Sequence, residues 1–185
     1  YHTYTSFELA VDDEVLVFQD SFGLGLRFFD TATMAELGFL DLEGWPRAIA
    51  IGRDEVRGTV AVREDDEARY VAFDAVAMET LGEEIPLGNY YTPETNVLHP
   101  NQGYGVLDDS PDFSAIDVTT GDIKAQIDVG SPSLFGGVAL FDRTAEWLLL
   151  GAGDARVYDA ATFDQVADLG PTAMLRAARA EQTSD

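Results

Sequence analysis

Four times along this 185-residue chain an apolar stretch ends on an aspartate and then turns. The stretches are Leu26-Arg27-Phe28-Phe29-Asp30, Tyr70-Val71-Ala72-Phe73-Asp74, Phe113-Ser114-Ala115-Ile116-Asp117 and Ala155-Arg156-Val157-Tyr158-Asp159. The aspartates lie 44, 43 and 42 residues apart. After each comes a small turn and a second run, over 34–42, 78–87, 123–129 and 163–169. Regularity of this length means a repeat architecture. No unit of such a chain buries its apolar surface alone, and stacked neighbours make the core.

Each unit reads as four short β-rich runs. In the first they cover 7–11, 14–18, 24–29 and 34–42, and in the second 47–51, 58–62, 70–73 and 78–87. The third, least regular, has 96–99, 104–107, 113–116 and 123–129; the fourth has 137–141, 146–150, 155–158 and 163–169. Gly, Asp, Asn and Pro, the residues that close hairpins, stand between the runs. Four strands per unit at this period predict an all-β fold, a β-propeller of four-stranded antiparallel blades. A single domain over 1–185 holds about four of them, at 7–42, 46–87, 96–129 and 134–169. The remainder, 170–185, is a tail or the start of a next blade. Its segment Thr172–Gln182 is also rich in helix formers.

The run Ala115-Ile116-Asp117-Val118-Thr119-Thr120-Gly121-Asp122, continuing to Ile127-Asp128-Val129-Gly130-Ser131-Pro132, resembles the YVTN-type β-propeller repeat. That family carries an apolar-Asp-x-x-Thr-Gly turn and then an Ile-x-Val-Gly link with a proline into the next blade. Trp45-Pro46, Leu87-Gly88 through Pro93, and Leu169-Gly170-Pro171 keep the link more loosely. WD-repeat blades are similar in architecture, but Phe-Asp, Ile-Asp or Tyr-Asp stands here where they have Trp-Asp. The resemblance covers about residues 7 to 171 and implies a fold, leaning toward an extracytoplasmic setting. It implies little about activity, because propellers host many unrelated tasks. Closed propellers use four to eight blades. The expectation is therefore a fragment of a larger ring; a small four-bladed ring, or a half-ring pairing with a copy of itself, is the alternative. Unpaired blade edges would invite self-association. Tyr1 in place of Met points to a removed leader or to a piece of something longer.

Charge narrows the partners. Acids outnumber bases 34 to 11, for a net charge of −23, and such a field repels nucleic acid. No apolar run approaches the ~18 residues of a membrane span. The chain has no Cys, which excludes disulfides, zinc–thiolate sites and cysteine nucleophiles in this segment. Ten Arg stand against one Lys, Lys124. Salt adaptation and a GC-rich genome both produce that bias.

The four aspartates suggest a carboxylate ring, but an Asp at a strand end more simply accepts backbone hydrogen bonds in the following turn. A second grouping is less easily explained by local structure. Propeller topology puts the loops between strands two and three on the face of the blade-to-blade links. That face collects the acids Glu64, Asp65, Asp66, Glu67, Asp108, Asp109, Asp112 and Asp154 with the aromatics Trp45, Tyr90, Tyr91 and Phe135. The candidate partner-binding set is Trp45, Tyr90, Tyr91, Glu64, Asp65, Asp66, Asp108 and Asp109. Aromatics beside acids suit a cationic small ligand, a basic peptide or protein, or a hard metal ion held through carboxylate oxygens. Solvated hairpin tips and aromatics packed between blades are the plainer alternative.

No catalytic, cofactor or metal residues are assigned. The motifs of serine hydrolases, nucleotide binders and zinc proteases are absent, as is the Asp-x-Asp-x-Asp-Gly calcium loop. His2 lies at the chain end, and His99, beside Asn96 and Asn101, lacks an identifiable partner for general-base work. Gly23-Leu24-Gly25 lacks the third glycine of a dinucleotide fingerprint. Quinone-cofactor propellers follow a related turn with a docking Trp, whereas Ile123-Lys124-Ala125 stands here. The leading expectation is a non-catalytic binding module without a cofactor. A lactonase-like enzyme, with Arg47 and His99 as its modest channel candidates, and the sensor propeller of a larger regulator are the alternatives.

Overall fold

The computed structural model describes residues 7–20, 22, 24–52, 56–65, 67–88, 95–99, 103–109, 112–129, 138–142, 144–151 and 154–171. Among these there is no helix. Sixteen strands form four sheets of four. The first holds β1 (Phe7–Ala10), β2 (Val15–Asp20), β3 (Gly25–Asp30) and β4 (Glu36–Asp41). The second holds β5 (Trp45–Ile51), β6 (Arg57–Glu64), β7 (Glu67–Asp74) and β8 (Glu79–Gly88). The third holds β9 (Asn96–Leu98), β10 (Tyr104–Asp109), β11 (Asp112–Asp117) and β12 (Ile123–Ile127), and the fourth β13 (Val138–Phe141), β14 (Trp147–Gly151), β15 (Asp154–Asp159) and β16 (Gln165–Pro171). Every sheet is an antiparallel meander in chain order. The chain is an all-β array of propeller blades.

Two boundaries move from the sequence expectation. Trp45 and Pro46 belong to β5, where Pro46 pairs with Val62 beside an irregularity in register. Pro171 ends β16, where it pairs with Asp154. Pro fits both places, a strand's first turn and its terminus, where a missing ladder donor costs least. The segment from Thr172 onward, and Asp66, Tyr90, Tyr91, Asn101 and Phe135, lie outside the described residues.

Alternation along each strand gives a blade two apolar faces. In β2 the side chains alternate buried and half-buried. The residue one before Asp74, Asp117 and Asp159 packs against the preceding blade, and the residue two before Asp30 and Asp117 packs against the next. Phe73 meets Phe28 edge to face, with ring centres 6.2 Å apart. Their cluster, with Val17, Leu26, Val60, Val62 and Val71, fills the seam between the first two blades. Tyr104, Val106, Phe113, Leu148, Leu150 and Tyr158 do the same between the last two. Full burial of one such side chain contributes about 1.5–3 kcal/mol.

The middle seam is partly polar. The Tyr70 hydroxyl donates to Asn96 Oδ1 at 3.0 Å and accepts from the Thr59 hydroxyl at 2.8 Å. The Asn96 amide returns to Thr59 Oγ1 and to the carbonyls of Thr59 and Ala48. A buried Asn and a buried Tyr are thus satisfied. Gly105 is required beside them, because a Cβ there would stand 2.0 Å from the Tyr70 hydroxyl.

Candidate functional site

The blades have two rims, and each treats its acids differently. On one rim lie the turns after the third strands. Asp30 Oδ1 accepts from the Thr33 amide and hydroxyl, and Asp74 Oδ1 from the amides of Val76 and Ala77, both at 2.8 Å. Asp117 takes those of Thr119 and Thr120, and Asp159 those of Ala161 and Thr162. The fourth residue after each Asp, namely Met34, Met78, Gly121 and Phe163, returns its amide to the Asp carbonyl with φ of 58°, 58°, 79° and 62°. This is a tight turn completed by a left-handed residue, with register irregularities in the following strand pair. The repeated carboxylates are turn acceptors, and no ring of ligands results. Hydrogen bonds from Thr33, Thr119 and Thr162 respectively hold Asp30, Asp117 and Asp159 below the ordinary carboxylate range, with Lys124 adding to the effect on Asp117.

The other rim carries the tips between second and third strands, together with the blade links. Leu42, in the link between the first two blades, gathers both tips. Its amide donates to the Leu24 carbonyl at 3.0 Å, and its own carbonyl accepts from the Arg69 guanidinium. Arg69 also pairs with Glu64 at 2.7 Å and Glu84 at 2.8 Å, while Arg63 Nε donates to the Asp65 carbonyl. In the first tip the Phe22 amide donates to Asp20, which pairs with Arg27 at 2.6 Å.

Out of this frame stand two aromatic side chains, Phe22 at 91% exposure and Trp45 at 46%. Asp41, Glu43, Glu64, Asp65 and Glu67 are exposed around them. Of the sequence candidates, Trp45, Glu64 and Asp65 therefore share one rim segment. Asp108 and Asp109 end β10 at the corresponding tip of the third blade, where Asp109 pairs with Asp112. Asp66, Tyr90 and Tyr91 are outside the described residues. Phe22 was not among the candidates, although an aromatic between Ser21 and Gly23 in a hairpin tip is itself a signal.

His99 is a structural residue. It is 3% exposed, and its Nε2 lies 3.1 Å from the Ala145 carbonyl. A carbonyl only accepts, so Nε2 carries the hydrogen. The ring packs at 4.8 Å from Tyr104 and 4.9 Å from Phe141, and burial holds its pKa below the usual value. His99 thus fastens the third blade to the fourth. A cleft of about 290 Å³ opens beside it between the second and third blades, lined among others by Arg57, Thr59, Glu83 and Thr119. It belongs to the turn rim, opposite Trp45. Among the described residues no group of three acid or histidine side chains is placed to hold a metal, and no helix is long and apolar enough to cross a membrane.

No family model matches the chain, and no curated protein matches it. Solved structures do. The hydrazine synthase of Kuenenia stuttgartiensis superposes with a TM-score of 0.71 at 17% identity, over 88% of this chain and 47% of that one. The dihydro-heme d1 dehydrogenase NirN, in complex with DHE, gives 0.66 at 17% identity over 91% and 38%. The Dos1 propeller gives 0.72 at 10% identity over 90% and 46%. The chain spans less than half the length of each. Two of these neighbours are enzymes and one is described only as a propeller, so the likeness fixes the fold and leaves the activity to be argued from the rim.

Proposed function

We propose that this chain is a propeller-type binding module whose link rim receives a basic peptide or protein segment. The observation that carries the reading is the exposure of Phe22 and Trp45 beside Asp41, Glu43, Glu64, Asp65 and Glu67, on a rim whose backbone is tied at Leu42. Rigid aromatics offer contact area at small entropic cost. Cation–π contacts and the surrounding carboxylates favour Arg and Lys in the partner. The net charge of −23 steers such a partner from a distance. The proposed surface extends along the rim through Asp66, Tyr90 and Tyr91 to Asp108 and Asp109. Catalysis is not part of the reading, because His99 is held in the core against the Ala145 carbonyl.

A fluorescent peptide library graded from Lys/Arg-rich to Glu-rich tests it by anisotropy. Basic members should bind, with affinity falling as salt rises. Trp45→Ala and Asp65→Asn should each weaken binding about 5- to 30-fold, equivalent to about 1–2 kcal/mol, with melting temperatures within ~2 °C of wild type. Equal binding across the library, or variants that bind normally, removes this rim as the site. A Trp45→Ala protein that chiefly loses stability would assign the indole to blade packing.

A further inference from the structure

At the turn rim, the seam between the second and third blades is built differently from the seams on either side of it. Between the first two blades, the left-handed turn residue Met78 lays its side chain on Gly38 of β4, and Val15 is buried in the same cluster. Between the last two, Phe163 holds the equivalent place in its turn and packs at 5.4 Å from the buried Tyr104. Val15, Arg57 and Tyr104 are equivalent, since each pairs with the repeated aspartate of its own blade, Asp30, Asp74 and Asp117. The middle seam therefore replaces both apolar partners. Its turn residue is Gly121 and its facing residue is Arg57. The outer strand differs too. In the other three blades a register shift lies between Phe28 and Phe29, Ala115 and Ile116, or Val157 and Tyr158. In the second blade it moves to between Tyr70 and Ala72 and leaves residues 82–84 without a cross-strand partner. Bulges re-aim side chains beside functional sites. The cleft of about 290 Å³ opens where the two apolar partners are missing.

Its walls carry unspent polar groups over an apolar floor of Ala72, Leu98 and Val118. Glu84 pairs with Arg69, whereas the Glu83 side chain makes no ion pair or hydrogen bond among the described residues. Thr119 donates its amide to Asp117, and its hydroxyl is left over. Arg57 brings a planar fork of donors suited to a carboxylate. The volume lies at the lower end of small-molecule sites, about 300–1,000 Å³. We propose that this cleft binds a free α-amino acid with a small apolar side chain. Arg57 takes the carboxylate, Glu83 the ammonium, and Thr119 supplies a further hydrogen bond. The ligand's side chain rests on Ala72, Leu98 and Val118, in the place that Met78 and Phe163 fill in the neighbouring seams. A chain of net charge −23 opposes a plain anion, and the ligand's ammonium offsets that repulsion. The site lies on the rim opposite Trp45 and shares no residue with the peptide surface, so the two readings fail independently.

Amide chemical shifts of the 185-residue chain, titrated with L-valine, L-valinamide and N-acetyl-L-valine, test the site. Valine should give saturable shifts centred on Gly58, Gly82, Gly103 and Thr119. The two derivatives, each lacking one charge, should bind about 10- to 100-fold more weakly. Arg57→Gln should remove the preference for valine over valinamide, and Glu83→Gln the preference over N-acetylvaline. Ala72→Phe copies the residue that the first blade holds at the equivalent Phe28, and it should abolish binding with the melting temperature maintained. Should that variant fail to fold, Arg57→Tyr, which copies Tyr104, closes the cleft from β6 and carries the same expectation. Absence of saturable shifts with valine, equal binding of all three probes, or normal binding by the filled variant overturns the proposal.

Discussion

The two rims of these blades are both rich in carboxylates, yet those groups do different things. On the turn rim Asp30, Asp74, Asp117 and Asp159 each hold two amides or an amide and a hydroxyl. Their charge is compensated locally, and the carboxylate is part of the fold. On the link rim Asp41, Glu43, Glu64, Asp65 and Glu67 stand exposed around Trp45. Of these, Asp41 caps the Glu43 amide and Glu64 pairs with Arg69, but the ensemble still concentrates negative charge. An acid that bonds the backbone stabilises its blade. An acid on a crowded tip costs stability through repulsion and is available to a partner.

Salt should give the largest effect. Screening acts on the crowded rim and hardly on a carboxylate bonded to its own turn. Melting temperature should rise by about 10 °C between 0.05 and 2 M KCl, on the order of several kcal/mol for a domain of this size. A flat response would mean that the −23 charge carries no net cost, leaving genomic composition as its explanation.

Acid should act on the opposite rim. Asp30, Asp117 and Asp159 have folded pKa values below those of the unfolded chain, so the native state binds fewer protons. Their stabilisation is present above about pH 4 and is lost as pH falls through the lowered folded values. His99 contributes an earlier loss. Its folded pKa is also depressed, so stability declines as pH drops below about 6.5. At neutral pH, Asp74→Ala should cost about 1 kcal/mol, or about 2–4 °C, by freeing the amides of Val76 and Ala77. Asp65→Asn should cost nothing or raise the melting temperature slightly. Equal losses for Asp74→Ala and Asp65→Asn would erase the distinction between the rims.

How much of this was legible depends on the range of the interactions. The turn around Asp117 is local, complete within Asp117–Asp122, and both the aspartate spacing and the role of its side chain can be read from sequence. The four-strand blades follow from the same period. Tyr70, Thr59 and Asn96 form their network across two blades and up to 37 residues, so no local pattern announces it. Phe22 has no apolar alternation around it, and its exposure follows from the tip geometry at Asp20.

The smallest effect tests the turn rim at a single backbone angle. Where the resembling repeat has glycine, as at Gly121, the first blade has Met34 at φ 58°. A side chain in the left-handed region costs about 1 kcal/mol because its Cβ crowds the following carbonyl. Met34 is 61% exposed, so its side chain returns little packing energy to offset that cost. Met34→Gly relieves the crowding but widens the unfolded ensemble, which takes back part of the gain. The net should be about 0.5 kcal/mol of added stability, close to 1–2 °C in melting temperature. Met78→Gly is the control, since Met78 has the same φ but packs against the seam of the first two blades. There the lost contacts outweigh the relief, and the variant should be less stable than wild type. Opposite signs at two equivalent positions would show that the turn geometry is set by the repeat and that its residue is chosen by what the seam needs. A loss at both positions would show that Met34 contributes packing its exposure does not reveal.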